Sequence, residues 1–328
     1  MIGRVVYEEV SSRVLRKNPL GDPHVRTLPV YLPPGYESGT RRYPVIFMLA
    51  GFGGSGRTML NFNPFSESLD QRIDRLILGG HMKPCIIALP DCLTAYGGSQ
   101  YLNSRAMGRY ADHLSQELVR HVDLRFRTLP SARHRAVMGK SSGGYGALVH
   151  AMLFPGVFGA AASHSGDLCF EYGYLPEFPK AVTEIGRVGG LDAWWRKFRC
   201  AEKKTSAQML VLNTLAMTAA YSSTRSGRLD LPFDLETGAL REKVWGKWLA
   251  LDPLRMLPRY RGALRRMRLV FLDAGTRDEW NLHLGARMFA RRARELGIKV
   301  THEEFDDGHR DVSYRYDVSL PLLARAIS

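Results

Sequence analysis

The chain is poor in cysteine, in acid relative to base, and in long apolar runs, and each shortage removes a class of protein. Four cysteines in 328 residues (Cys85, Cys92, Cys169 and Cys200) form no C-x-x-C pair and have no metal-ligand spacing with histidine. That excludes a disulfide framework and argues against a bound metal, so free thiols are expected. No apolar run approaches the roughly 20 residues that span a bilayer. The opening MIGRVVYEEVSSRVLRKN mixes charge into its apolar residues, unlike the core of a secretory signal. A cytoplasmic protein without membrane contact is the expectation. Acidic residues number 32 against 46 lysines and arginines, a formal net charge of +14. Most of the excess is arginine, spread along the whole chain. Its densest clusters, RRMR at Arg265 to Arg268 and ARRARE from Ala290, flank a strand and occupy a helix. They read as a solvated basic surface rather than as a nucleic-acid site.

What is present is strand and helix in alternation. Two stretches near the start, RVVYEEV and VRTLPVYLPP, punctuated by Pro and Gly, predict an opening antiparallel meander. Apolar runs of strand length follow: YPVIFMLA (Tyr43 to Ala50), PCIIALP (Pro84 to Pro90), RAVMG (Arg135 to Gly139), GAAASHS (Gly159 to Ser165), RLVFLDAG (Arg268 to Gly275) and VTHEEF (Val300 to Phe305). Tyr110, Leu114, Leu118 and Val122 recur every four residues and predict a helix with one apolar stripe. Another helix, around LHLGARMFARRAREL, stops before Gly297. Strand and helix repeated in this way predict an α/β fold, a mostly parallel sheet with helices on both faces. Residues 168–260 break the rhythm with aromatics and helical stretches but no buried strand. They are expected to be a largely helical cap-like insertion in a single domain over 1–328 rather than a plain loop.

The stretch VMGKSSGGYGALVHA places two serines at the junction of a strand and a helix. G-x-S-x-G fits only one of them: Gly139-Lys140-Ser141-Ser142-Gly143, whereas centring Ser142 puts Lys140 where the first glycine belongs. The glycines have a mechanical purpose, because a serine on so sharp a turn adopts a strained backbone and its neighbours must lack side chains. Ser141 is therefore the candidate nucleophile. A serine hydroxyl needs a base, itself oriented by an acid, and in strand-to-helix elbows of this kind acid and then histidine follow the serine in the chain. Five of the ten histidines precede Ser141. Among the rest, His150 lies on the following helix and His164 at a strand end, where a structural role is expected. His283 opens a helix and His302 sits inside a strand. His309, in FDDGHRDVSY, follows a strand and a Gly turn, and is the candidate base. For the acid, Asp278 in the loop of RLVFLDAGTRDEW is favoured over Asp273, which is still within the strand. Asp306 and Asp307 read as solvated turn acids.

The loop LAGFGGSGRTML satisfies G-x-G-x-x-G and nearly satisfies the phosphate loop. Arg57 stands where the latter needs Lys, and NFNPF interrupts the helix that the former needs. A third reading ties the loop to Ser141: attack on an ester creates an oxyanion, which two preset backbone N–H groups stabilise. Ser142 supplies one and Phe52 is the candidate for the other.

With these residues in hand, the chain resembles the esterase branch of the α/β-hydrolases that includes esterase D (S-formylglutathione hydrolase), feruloyl and acetylxylan esterases, enterochelin-esterase-like proteins and the mycobacterial mycolyltransferases. The resemblance runs from VRTLPVYLPPGYE to the C-terminus. It rests on YPVIFMLAGFGG, on GGSQYLNS after PDCLTAY, on GKSSGGYGAL, on LDAGTRDEW and on DDGHRD. It implies the α/β-hydrolase fold, triad roles for Ser141, Asp278 and His309, and oxyanion roles for Phe52 and Ser142. Where Ala50 stands, relatives often carry His or Ser, and where Lys140 stands, a smaller or less charged residue. Substrate contacts are expected from Gly53, from Gln100 and Tyr101 in the Gly97 to Ser104 loop, and from Trp280. The expectation is a serine carboxylic-ester hydrolase acting through an acyl-enzyme on short-chain acyl esters, with no cofactor and a small-molecule ester as its partner. The alternatives are an acyltransferase using the same residues, and a non-catalytic scaffold that binds an acidic partner.

Overall fold

Successive residues of a strand point to opposite sides, and Val45–Leu49 divides its side chains accordingly. Val45, Phe47 and Leu49 join one apolar core, and Ile46 and Met48 join another. In the computed structural model, which describes residues 2–328, this division extends across an eight-stranded sheet. The strands are β1 (Arg4–Ser11), β2 (Val25–Leu32), β3 (Val45–Leu49), β4 (Ile86–Ala88), β5 (Arg135–Lys140), β6 (Ala160–His164), β7 (Leu269–Gly275) and β8 (Thr301–Phe305). Their order is β1-β2-β4-β3-β5-β6-β7-β8. β2 runs antiparallel to β1 and β4, and the remaining neighbours are parallel. Each falls within a residue or two of a stretch marked in the sequence. The order reverses direction at β3, which lies between β4 and β5. Such a switch point opens a crevice at the carboxyl ends of the strands, the usual place for ligands in open α/β sheets.

The longer helices are α1 (Leu69–Leu78), α2 (residues 110–125), α3 (Ser142–Leu153), α4 (Phe178–Gly186), α5 (Leu191–Cys200), α6 (Ser206–Tyr221), α7 (Glu242–Leu249), α8 (Pro253–Arg265), α9 (Leu282–Glu295) and α10 (Tyr316–Ala326). One face of the sheet is covered by α1 and α10. Leu69, Ile73 and Leu76 pack with Leu320 and Leu323 against Ile46, Met48, Met138 and Phe271, each such side chain contributing about 1.5–3 kcal/mol by its burial. α1 begins at a capping box, with the Ser68 N–H donating to Gln71 Oε1 at 3.0 Å. Its Arg75 joins Asp317 of α10 at 2.7 Å.

The opposite face carries α2, α3, α9 and the helices between β6 and β7. The four residues predicted to form the stripe of α2 are all buried, but the helix is π-wound over His113–Leu118. Residues spaced exactly four apart drift around an α-helix of 3.6 residues per turn. A wider π turn in the middle offsets that drift and keeps all four on the sheet side.

Between β6 and β7 the chain is helical. In the last part of this segment α8 packs against α3 and α9. Most aromatics of this segment, among them Phe178, Trp194, Tyr221 and Trp248, are buried in a core continuous with that beneath the sheet, while Tyr172 is exposed. Asp252 ties the start of this segment to α8: it caps α8 by accepting from the Leu254 N–H at 2.9 Å and also accepts from the Phe170 N–H at 2.9 Å. The four cysteines are unpaired. Among the described residues no helix is long and apolar enough to cross a membrane.

Candidate active site

β5 ends at Lys140 and α3 begins at Ser142, leaving one residue for the whole change of direction. Ser141 takes it at φ 57°, ψ −125°, a conformation that L-residues avoid and that persists only where the surroundings enforce it. The two flanking glycines show how tight the turn is. A Cβ on Gly143 would sit 2.2 Å from the Leu49 carbonyl oxygen, and one on Gly139 would sit 2.5 Å from the Gly143 backbone. The Ser141 N–H is anchored to the His164 carbonyl at 2.9 Å.

β7 and β8 lie side by side, and their following loops are held together by backbone bonds. The Thr276 N–H donates to the Phe305 carbonyl at 2.8 Å and the Arg277 N–H to the Asp307 carbonyl at 2.9 Å. This brings Asp278, from the first loop, against His309, from the second: Nδ1 lies 2.8 Å from Asp278 Oδ2. With a carboxylate as its acceptor, Nδ1 carries the proton, and Nε2 is left for the cavity that His309 lines. The other Asp278 oxygen accepts from the Trp280 N–H at 2.9 Å. Burial works to raise the Asp278 pKa, but the His309 hydrogen bond and charge, with the backbone N–H groups, outweigh it and hold the carboxyl below its ordinary value. The Trp280 indole meets the imidazole edge to face at 4.8 Å.

The rejected pair is equally well made. His164 Nδ1 lies 2.6 Å from Asp273 Oδ1, and its Nε2 lies 2.8 Å from the Ser319 hydroxyl. All three residues are almost wholly buried, and none lines the cavity that holds Ser141. A hydrogen-bonded series of serine, histidine and aspartate is thus enclosed within the protein, whereas Ser141 and His309 both line the cavity. Asp306 and Asp307 stay in their turn, the former paired with Arg277 at 3.2 Å and the latter accepting from the Gly308 N–H and the Tyr314 hydroxyl.

The glycine loop leads into no immediate long helix. A short 3₁₀ turn, Thr58–Leu60, follows it, and α1 starts only at Leu69. The loop passes beside the elbow instead: a Cβ on Gly51 would lie 3.5 Å from Ser141 Cβ. The Gly53 N–H is taken by the Gly97 carbonyl at 2.7 Å and the Gly54 N–H by the Gly51 carbonyl at 3.0 Å. The N–H groups of Phe52 and Ser142 have no acceptor among the described residues, Ser142 because it opens a helix.

Ser141, Ser142, Phe52, Trp280 and His309 line one cavity of about 740 Å³, within the usual range for small-molecule sites. Three expected substrate contacts lie elsewhere. Gly53 is outside the lining, its N–H engaged by Gly97. Tyr101 is buried, its hydroxyl donating to the Ala50 carbonyl at 2.7 Å, where it braces the end of β3. Gln100 is also buried, and its amide donates to Asp167 Oδ2 at 2.9 Å and to the Tyr221 hydroxyl at 2.8 Å. No residue of the Gly97 to Ser104 loop lines the cavity; the Gln100 amide nitrogen and the Tyr101 hydroxyl are engaged within the protein, and Gln100 Oε1 is buried without a partner. In its place Asp167, three residues beyond β6, reaches the cavity. Burial raises its pKa, against the hydrogen bonds from Gln100 and Tyr174. Sequence reading passed over Asp167, and its one signal was an acid just past a strand end. Lys140 and Arg310, neighbours of Ser141 and His309 in the chain, also line the cavity. No group of three or more His, Cys, Asp or Glu that could hold a metal occurs among the described residues.

A family model described as "Putative esterase" matches residues 23–317. Over 165 residues, 49% of this chain, the sequence is 32% identical to an esterase of Mycobacterium tuberculosis, covering 34% of that protein. Over 173 residues it is 29% identical to an endo-1,4-beta-xylanase/feruloyl esterase of Xylanibacter ruminicola, covering 22% of it. The chain thus matches about a third of the length of the first of these curated relatives and about a fifth of the second. Among solved structures, a ferulic acid esterase is similar over 100% of this chain and 99% of its own, with a TM-score of 0.61 and 18% identity. A fluorophosphonate-binding serine hydrolase of Staphylococcus aureus is similar over 100% of both chains, with a TM-score of 0.62 and 14% identity. At such identities the likeness shows the fold, an α/β-hydrolase sheet with its helices.

Proposed function

The chain belongs to the family described as "Putative esterase", and from that premise we propose that it is a serine hydrolase of short-chain carboxylic esters working through Ser141, His309 and Asp278. The observation that carries this reading is a serine held at a strained elbow in the same cavity as an imidazole whose Nδ1 is bonded to a buried carboxylate. His309 Nε2 accepts the Ser141 proton as the hydroxyl attacks the acyl carbon. Asp278 holds the tautomer and stabilises the imidazolium. The developing oxyanion is received by the Phe52 and Ser142 N–H groups, each such donor lowering the barrier by about 3–4 kcal/mol. His309 then returns the proton to the leaving alcohol, and water, activated by the same imidazole, releases the acid from the acyl-enzyme. A cavity of about 740 Å³ walled in part by Phe170, Met209 and Leu210 accommodates a short acyl group.

Purified protein is expected to release nitrophenol from p-nitrophenyl acetate, with Ser141→Ala lowering kcat by at least about 10³-fold. An organophosphonate probe is expected to label Ser141. Hydrolysis that survives Ser141→Ala refutes the assignment. Absence of labelling together with absence of turnover favours a scaffold instead.

A further inference from the structure

The side chains on either side of the reacting pair carry a charge that the proposed chemistry does not use. Lys140 precedes Ser141, Arg310 follows His309, and both line the cavity. Neither forms an ion pair or a side-chain hydrogen bond among the described residues, whereas most arginines near a carboxylate here are paired, Arg255 with Glu171 and Arg287 with Glu304 among them. Lys140 is half-buried. Burial lowers its pKa, Arg310 adds repulsion, and the carboxylates of Asp311, Asp278 and Glu279 act the other way without reaching ion-pair distance. Arg310 lies 6.0 Å from the centroid of the Trp280 ring, which itself packs on His309. The third cation of the cavity, Lys204, is already engaged, its ammonium donating to the Phe198 and Ala201 carbonyls at the end of α5.

Two cations, Arg310 exposed and Lys140 half-buried, thus face one cavity with no partner of their own, while the acids that also line it are engaged elsewhere, Asp167 by Gln100 and Tyr174 and Glu177 by Lys180. Partial loss of hydration disfavours the ammonium form, and an opposite charge in the cavity favours it. A carboxylate or phosphate bound between the two would do so through charge-assisted hydrogen bonds, the guanidinium offering its planar fork and the ammonium a point charge. We propose that Lys140 and Arg310 form an anion-recognition subsite, and that the preferred substrates are esters bearing a carboxylate or phosphate close to the scissile carbonyl. This inference rests on the proposed function, since it names the substrate class of the same cavity.

The test separates binding from turnover. Ser141→Ala protein is titrated, with isothermal calorimetry as the readout, with p-nitrophenyl hemisuccinate and its neutral methyl ester, which places the anion on the acyl side. It is also titrated with p-acetoxybenzoate and its methyl ester, which places the anion on the alcohol side. The anionic member of at least one pair is expected to bind roughly tenfold tighter. That ratio is expected to collapse in Lys140→Met and in Arg310→Met, and to shrink with added salt as a partly exposed ion contact should. Arg310 is exposed, so its variant keeps the test open if the Lys140 variant does not fold. Equal affinity for charged and neutral members in both pairs overturns the inference, as does a preference that both substitutions leave intact. Wild-type protein run in parallel shows whether the ester is cleaved. Absence of turnover with the binding preference present sinks the hydrolase reading alone, and turnover without preference sinks the subsite alone.

Discussion

At the scale of single residues, the site depends on atoms that are absent as much as on those present. Gly143→Ala would push a methyl into the Leu49 carbonyl, 2.2 Å away, and backbone cannot yield as a flexible side chain does. The expected outcome is a fall in thermal midpoint together with loss of nitrophenyl acetate hydrolysis, since the elbow and the Phe52 loop would both move. Tyr101→Phe tests a subtler dependence. It removes the hydroxyl that donates to Ala50 and leaves a buried carbonyl unpaired, at a cost of about 1–3 kcal/mol. Ala50 leads directly into the glycine loop, so the steady-state signature should be a lowered kcat with KM little changed. A raised KM at constant kcat would return Tyr101 to the role of substrate contact.

At the scale of elements, the two histidine–aspartate pairs give contrasting expectations. His164 and Asp273 join β6, β7 and α10, and Arg315 adds a further bond to Asp273 at 2.9 Å. Removing one partner from such a buried network costs about 3–5 kcal/mol because the remaining charge is stranded. Asp273→Ala should therefore lower the denaturant midpoint sharply, while any protein that remains folded keeps the proposed esterase turnover. Asp278→Asn should do the reverse, lowering kcat by about 10³–10⁴-fold with a smaller effect on folding. Asp252 acts at the same scale, because it ties the start of the segment between β6 and β7 to α8. Asp252→Ala deprives α8 of its cap, worth about 0.5–2 kcal/mol, and frees the Phe170 N–H. Limited proteolysis should then cut first within residues 168–252.

At the scale of the whole molecule, the excess of base makes acid the harsher condition. Glu117 accepts from the Ser12 hydroxyl and from the Arg13 and Val14 N–H groups, and it lies 2.9 Å from His113 Nδ1. It thereby ties the connection between β1 and β2 to α2. Burial opposes these bonds, yet together they lower its pKa from 4.5 to about 2. A carboxyl whose folded-state pKa lies below its unfolded value stabilises the protein above the unfolded value, and that stability is lost as pH falls through the folded one. Thermal midpoints should therefore decline between pH 4.5 and 2, and Glu117→Gln should lower the midpoint at neutral pH and flatten that decline. A decline as steep in the variant as in the wild type would assign it instead to the repulsion among the positive charges.

The sequence by itself determined the strands and the elbow and singled out the residues proposed to react, because those signals are local. Apolar runs bury on both faces, glycines sit where a Cβ would collide, and the order of serine, acid and histidine follows the order of the strands. Asp278 and Asp273, five residues apart, were distinguishable by one being in a loop and the other in a strand. Only the tertiary structure decided which polar groups meet open space. Gln100 and Tyr101 face inward because Asp167 and Ala50, remote in the chain, claim their hydrogen bonds. Lys140 and Arg310 share a cavity because β5 and the loop after β8 end on the same side of the sheet. Hydrogen-bond demand is met by whatever packing brings near, and that choice depends on contacts between residues far apart in sequence.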